Sequence, residues 1–155
     1  MRVTSMVATL AVVLAACGGE KQADNSQATM SDSAAAPAAT ATAATGTTHD
    51  VQMTMVDGEA RFVPDQITIK AGDAVRFVNG EGGPHNVHIW ADSIPSGAES
   101  AISIDKQLSP LVTEMLVEPA AAVTVTFAAG APAGEYHFTC DPHGAMGMHG
   151  KITVE

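Results

Sequence analysis

The sequence predicts an all-β fold, a sandwich of short strands with one short helix in a long connection, over residues 49–155 of a 155-residue chain. Three observations carry this expectation. Apolar residues alternate with polar ones at period two rather than recurring every three or four positions. Glycine- and proline-containing breaks separate the alternating runs. All six aromatic side chains, Phe62, Phe77, Trp90, Phe127, Tyr136 and Phe138, lie beyond residue 60, which puts the core in the C-terminal two thirds.

The runs follow in order. Met53 and Met55 alternate with Gln52 and Thr54 and are read as core residues of the first strand. Ile67 and Ile69 alternate with Gln66, Thr68 and Lys70, and Val75 and Phe77 with Ala74, Arg76 and Val78. Val123, Val125 and Phe127 alternate with Thr124 and Thr126, and Ile152 and Val154 with Lys151, Thr153 and Glu155. Asp57-Gly58, Ala71-Gly72-Asp73, the Gly- and Pro-containing residues 80–84 and residues 129–132 supply turns between them. Several short strands at this spacing favour a sandwich. Between residues 91 and 119 the alternation lapses. There Ser109-Pro110-Leu111-Val112, with Met115 and Leu116, reads as one short capped helix with Pro110 at its first position.

Upstream of the domain the chain has a different character. Arg2 precedes an apolar stretch over residues 7–16 that reads as an export signal and is too short to span a membrane core of roughly 30 Å. Leu14-Ala15-Ala16-Cys17 resembles the bacterial lipoprotein cleavage motif. That motif implies removal of residues 1–16 and lipid attachment at Cys17, in a bacterial cell envelope and facing the periplasm. Gly18 stands where an aspartate would signal inner-membrane retention, so the outer membrane is favoured. Residues 18–48 include ten alanines and six threonines with Met30 as the only large apolar side chain, too little apolar surface to offset ordering entropy. A disordered tether is expected, with a root-mean-square span of about 30 Å.

Charge and cysteine content exclude several classes of function. Seventeen acidic and seven basic residues give a net charge of −10, and the basic residues are scattered singly, which excludes nucleic acid and a polybasic membrane surface. With Cys17 committed to the lipid, Cys140 has no partner for a disulfide. An unpaired thiol in an exported protein invites oxidation unless something occupies it, which points to a metal.

Strand parity gathers the ligands for one. If Tyr136 and Phe138 face the core, so does Cys140, while His137 and Thr139 face out. Counting back from Ile152 and Val154 turns Gly150 and Met148 inward and His149 outward. His143 lies in the loop between. Upstream, His85 shares parity with Val87 and Ile89 and faces in, whereas His88 and Trp90 face out. Two imidazoles, one thiolate and a weak thioether form the ligand set of a blue-copper electron-transfer site. His49 is read as solvated at the domain boundary, and His149, beside Met148, as an exposed side chain, with an influence on docking or pH response as the alternative.

These blocks resemble the plastocyanin and pseudoazurin branch of the cupredoxin family: Pro84-His85-Asn86 paired with Cys140-x-Pro142-His143, then Gly147-Met148 and residues 150–154. The likeness extends through residues 94–97 and Phe62-x-Pro64 and covers essentially all of 49–155. It implies a Greek-key sandwich that binds one type 1 copper ion, with His85, Cys140 and His143 as strong ligands and Met148 as the axial one. It also implies that Asn86 ties the two ligand loops together near the sulfur. Met148 lies eight residues after the cysteine; an amicyanin-type loop would instead use Met146, six after it, and parity favours Met148.

The function implied is a monomeric, membrane-tethered electron carrier, not an enzyme, moving single electrons between envelope redox proteins such as cytochromes or copper enzymes. Its docking surface would comprise Pro84, Pro142, Ala145 and Met146 around the His143 edge. Thr139 replaces the tyrosine that photosynthetic plastocyanins carry before the cysteine, and residues 90–93 lack the dense acidic cluster of eukaryotic plastocyanins, so a photosystem partner is not implied. Copper storage or delivery is the alternative. A multicopper enzyme would need further histidine pairs and a longer chain.

Overall fold

A computed structural model of the protein describes residues 44–155. The expected signal peptide at 1–16, the lipidation site Cys17 and residues 18–43 of the linker lie outside the described residues. Among the described residues eleven strands follow one another: β1 (Thr48–Val56), β2 (Glu59–Val63), β3 (Gln66–Ile69), β4 (Ala74–Asn79), β5 (His88–Ile89), β6 (Ile102–Ile104), β7 (Gln107–Ser109), β8 (Val112–Thr113), β9 (Ala122–Phe127), β10 (Gly134–Thr139) and β11 (His149–Val154). They form a five-stranded sheet in the order β2-β1-β4-β9-β6 and a six-stranded sheet in the order β3-β11-β10-β5-β8-β7. The alternation found in the sequence is the alternation of burial. In β9, Val123, Val125 and Phe127 are buried, as are Ile152 and Val154 in β11.

The two sheets are joined by an aromatic cluster. Phe62 and Phe77 from one sheet and Phe138 from the other meet edge-to-face with centroids 4.8 to 5.9 Å apart, a geometry that aligns positive ring edges with negative faces. Phe138 stands two residues before Cys140, so this packing holds the strand that delivers the thiol. Tyr136, fully buried, donates its hydroxyl to the Pro132 carbonyl at 2.6 Å.

The expected helix over Ser109–Leu116 does not form. Pro110 and Leu111 instead turn the chain between β7 and β8, with Leu111 at φ 61°. That left-handed residue stops any helix within its first turn. β8 is then used to pair with β5 at His88↔Val112, and Thr113 accepts the Val87 N–H on its Oγ1 at 3.0 Å. Tertiary pairing beside β5, the strand that follows His85, outweighs a short local propensity. The helical pieces among the described residues are 3-10 turns at Ala91–Ser93, Ala98–Ala101 and Gly144–Met146, the first two in the long connection.

Other burial expectations shift at the ends of strands. Met53 is fully buried but Met55, near the end of β1, is exposed. Met115 is also exposed, whereas Leu116 is buried against the site through backbone hydrogen bonds to His85. His49 is half-buried and bonded to Asp73 rather than solvated.

Asp73 anchors the start of β1. Its carboxylate accepts the Lys70 N–H at 3.0 Å, pairs with His49 Nε2 at 3.0 Å and accepts the Thr47 N–H at 2.8 Å. These contacts hold its pKa down to about 2, below the ordinary aspartate value near ~3.9. A carboxyl depressed by folding contributes stability that is complete above the unfolded-state value and is lost as pH falls through the folded one. Asp73→Asn should therefore lower the melting temperature at pH 7, with the deficit narrowing between about pH 4 and pH 2. Thermal melts at several pH values test this, and a deficit independent of pH would refute it.

Candidate metal centre

β4 and β10 run to the same end of the sandwich, and each is followed by a loop that carries ligands. The chain after β4 passes through residues 80–84 to His85, whose backbone is fixed by paired hydrogen bonds with Leu116, at 3.1 Å from its N–H and 2.8 Å to its carbonyl. The chain after β10 reaches Cys140 at once, then His143, the Gly144–Met146 turn and Met148 just before β11. This loop closes on itself. The Cys140 N–H donates to the Met148 carbonyl at 3.2 Å, the His143 N–H to the Cys140 carbonyl at 3.1 Å, and the Met148 N–H to the His143 carbonyl at 3.2 Å.

Thr139 faces away from the core, as parity requires, yet it is buried. The loop folds over it at Gly144, and its hydroxyl donates to the Met148 carbonyl at 3.1 Å. The outward strand position thus becomes part of the brace behind the ligands.

Within this frame Cys140 Sγ lies 3.6 Å from His85 Nδ1 and 3.4 Å from His143 Nδ1. The three donor atoms fall within 4.8 Å of one another. Cys140, His85 and Met148 are fully buried, and His143 is half-buried. The donor chemistry fits a metal ion. His85 Nε2 sits 3.3 Å from the Glu81 carbonyl, which can only accept, so Nε2 carries the proton and Nδ1 presents its lone pair toward the sulfur. Burial pushes the His85 imidazole toward its neutral form; the Glu81 carbonyl opposes this and the nearby His143 adds to it. Burial likewise pushes the Cys140 thiol up, against the lowering effect of the Asn86 and His143 backbone N–H groups. A bound cation reverses that balance, since a coordinating thiol is deprotonated outright.

Asn86 bridges the two loops through Asp141. Its Oδ1 accepts the Asp141 N–H at 2.8 Å, its Nδ2 donates to Asp141 Oδ2 at 2.7 Å, and Asp141 Oδ1 pairs with His88 Nδ1 at 2.8 Å. Partial burial works to raise the Asp141 pKa, but the Asn86 and His88 hydrogen bonds prevail and hold it below the ordinary range. Such outer contacts orient ligands and tune the metal they hold. Sequence reading found Asn86 but missed Asp141 and His88, whose adjacency needs β5 and the ligand loop to be brought side by side.

A profile of copper-binding proteins of the plastocyanin/azurin family matches residues 49–155. The chain belongs to that family. It is 39% identical over 106 residues to a plastocyanin of Mercurialis perennis, covering 68% of this chain and 98% of the relative. To a plastocyanin of Nostoc punctiforme it is 38% identical over 109 residues, covering 70% of this chain and 74% of the relative. Among solved structures, oxidised plastocyanin from the fern Dryopteris crassirhizoma superposes with a TM-score of 0.51 at 29% identity, covering 68% of this chain and 99% of that one. A pseudoazurin from Sinorhizobium gives 0.51 at 28% identity, covering 71% and 75%. Cupredoxins of this kind bind one type 1 copper ion and are electron carriers rather than enzymes.

The structure separates the two methionines of the ligand loop sharply. Met148 is 0% exposed and Met146 is 60% exposed. Pro84, Pro142 and Ala145 are exposed as well. Met146 shares a surface cavity of about 440 Å³ with His143, Gly82, Glu59 and Met55. Met55 was assigned to the core from the sequence, and its strand parity gave no signal that it sits at this surface. His149 is exposed and packs edge-on against Trp90 at 5.5 Å between ring centroids.

Proposed function

We propose that the protein is a blue-copper electron carrier lipid-anchored at Cys17 in a bacterial cell envelope, facing the periplasm from the outer membrane, and shuttling single electrons between redox proteins. His85, Cys140 and His143 are the strong ligands and Met148 the axial one. The observation that carries this reading is the convergence of two imidazoles, a thiol and a buried thioether, drawn from segments 55 residues apart, in a frame already closed by hydrogen bonds. Copper held there would supply a one-electron couple. The protein's own contribution is rigidity: Asn86 and Asp141 lock the loops together, and the Glu81 carbonyl fixes the His85 tautomer, so that little has to move when charge changes.

The electron port of this reading is the half-buried edge of His143, with Pro84, Pro142, Ala145 and Met146 as the docking surface. Its small and apolar side chains suit a brief contact of limited area. Residues 49–155 carry 14 acidic and five basic side chains, a net of −9, so basic partners such as cytochromes or copper enzymes are steered toward the domain at low salt.

The test is a visible spectrum of the copper-loaded soluble domain. An intense thiolate-to-copper band that bleaches with one equivalent of a one-electron reductant and returns on oxidation is the expected result. Copper that binds without such a band, or that cannot be cycled, would leave the storage or delivery reading in its place.

A further inference from the structure

Of the three exposed methionines among the described residues, Met55, Met115 and Met146, two line the same cavity beside His143. They arrive there from unrelated segments, Met55 from the end of β1 and Met146 from the ligand loop. Gly82, at φ 107°, forms the wall next to them. A Cβ at this position would stand 2.6 Å from Met55 Sδ and 3.5 Å from His85 Nε2, so the absence of a side chain is what lets the thioether approach the rim of the ligand cluster. Glu59, paired with Arg61, adds a carboxylate to the same cavity. Thioethers are soft ligands that select Cu(I), and methionine side chains adapt to irregular geometry at small cost.

We propose that Met55 and Met146 form a receiving site for Cu(I), which captures the ion at the surface and passes it along His143 to the buried Cys140. The inference rests on the reading of His85, Cys140, His143 and Met148 as the copper centre. It adds a second, transient site with its own chemistry, in which the sulfur atoms themselves and not only their apolar surface are required. The transfer is ligand exchange without a change of oxidation state. Bonds from Cu(I) to its carrier break as bonds to the Met55 and Met146 sulfurs form; these give way to His143 Nδ1 and then Cys140 Sγ, whose proton leaves to water. Capture next to the final ligands raises the local concentration of the ion and replaces a single difficult desolvation by two smaller steps.

The experiment measures how fast the metal-free protein removes Cu(I) from its bicinchoninate complex, read as the fall in that complex's visible absorbance. The Met55→Leu/Met146→Leu double variant keeps the apolar surface and removes only the sulfurs. It should load roughly tenfold more slowly, as expected when about 1.4 kcal/mol of barrier lowering is lost. Once loaded and oxidised, its spectrum should match the wild type. Met115→Leu, which alters an exposed methionine outside the cavity, should load at the wild-type rate. Equal rates for the double variant and the wild type would overturn the receiving site while leaving the copper centre intact. Equal slowing by Met115→Leu would overturn it too. A wild-type protein that takes no copper from the chelator would overturn the copper reading and this inference together.

Discussion

Cys140→Ser is expected to abolish the intense visible band of the copper-loaded domain altogether. Cys140 is the one sulfur donor in the cluster that can carry a charge, and its Sγ sits between His85 and His143 at 3.6 and 3.4 Å. A serine hydroxyl is harder, ionises far less readily and has no comparable charge-transfer transition to offer. The fold should survive, because Cys140 contributes its backbone to the loop through the Met148 carbonyl, and serine keeps that N–H. Circular dichroism should therefore be unchanged while the blue band disappears and copper affinity falls. A variant that stayed blue would mean that the metal is held elsewhere. Paired with it, Met148→Leu should raise the reduction potential and shift the spectrum, because the axial ligand tunes such sites. Met146→Leu, at the exposed position, should leave both nearly unchanged, and the reverse pattern would hand the axial role to Met146.

Gly150→Ala is expected to destabilise the metal-free domain by about 3 kcal/mol, the upper end of the cost of overpacking a filled core. Gly150 in β11 pairs directly with Phe138 in β10. A Cβ there would lie 2.3 Å from Phe138 Cζ and 2.8 Å from the Asp65 carbonyl oxygen. The carbonyl is backbone, and the ring is locked edge-to-face between Phe62 and Phe77, so neither can yield without moving a sheet. Displacing Phe138 also displaces the strand two residues before Cys140. The loss should appear in urea unfolding as a lower midpoint, together with a broadened copper band in the loaded protein. A change within about 0.5 kcal/mol, the range of an ordinary surface substitution, would show that the sheets have slack at this point.

The sequence alone carried the fold class and the ligand set, for one physical reason. Period-two alternation and one-sided burial are the same property, so Phe138 facing inward obliges Cys140 to follow, and Ile152 obliges Met148. His85 was legible by the same parity through Val87 and Ile89. Parity says which face a residue occupies, but not whether anything lies opposite. That was decided by tertiary structure. Met55 keeps the inward parity of Met53 yet emerges at the surface, in a cavity it shares with Gly82, His143 and Met146, and Thr139 keeps an outward parity yet is buried, because the ligand loop folds back over it at Gly144. The helix expected near Pro110 gave way to β7 and β8 since a two-residue strand beside β5 satisfies backbone groups that an isolated helical turn would leave to water. The contact of Asp141 with both Asn86 and His88 was equally out of reach. Its partners are more than fifty residues apart in the chain, and no local pattern encodes a hydrogen bond that exists only once two loops have been packed against each other.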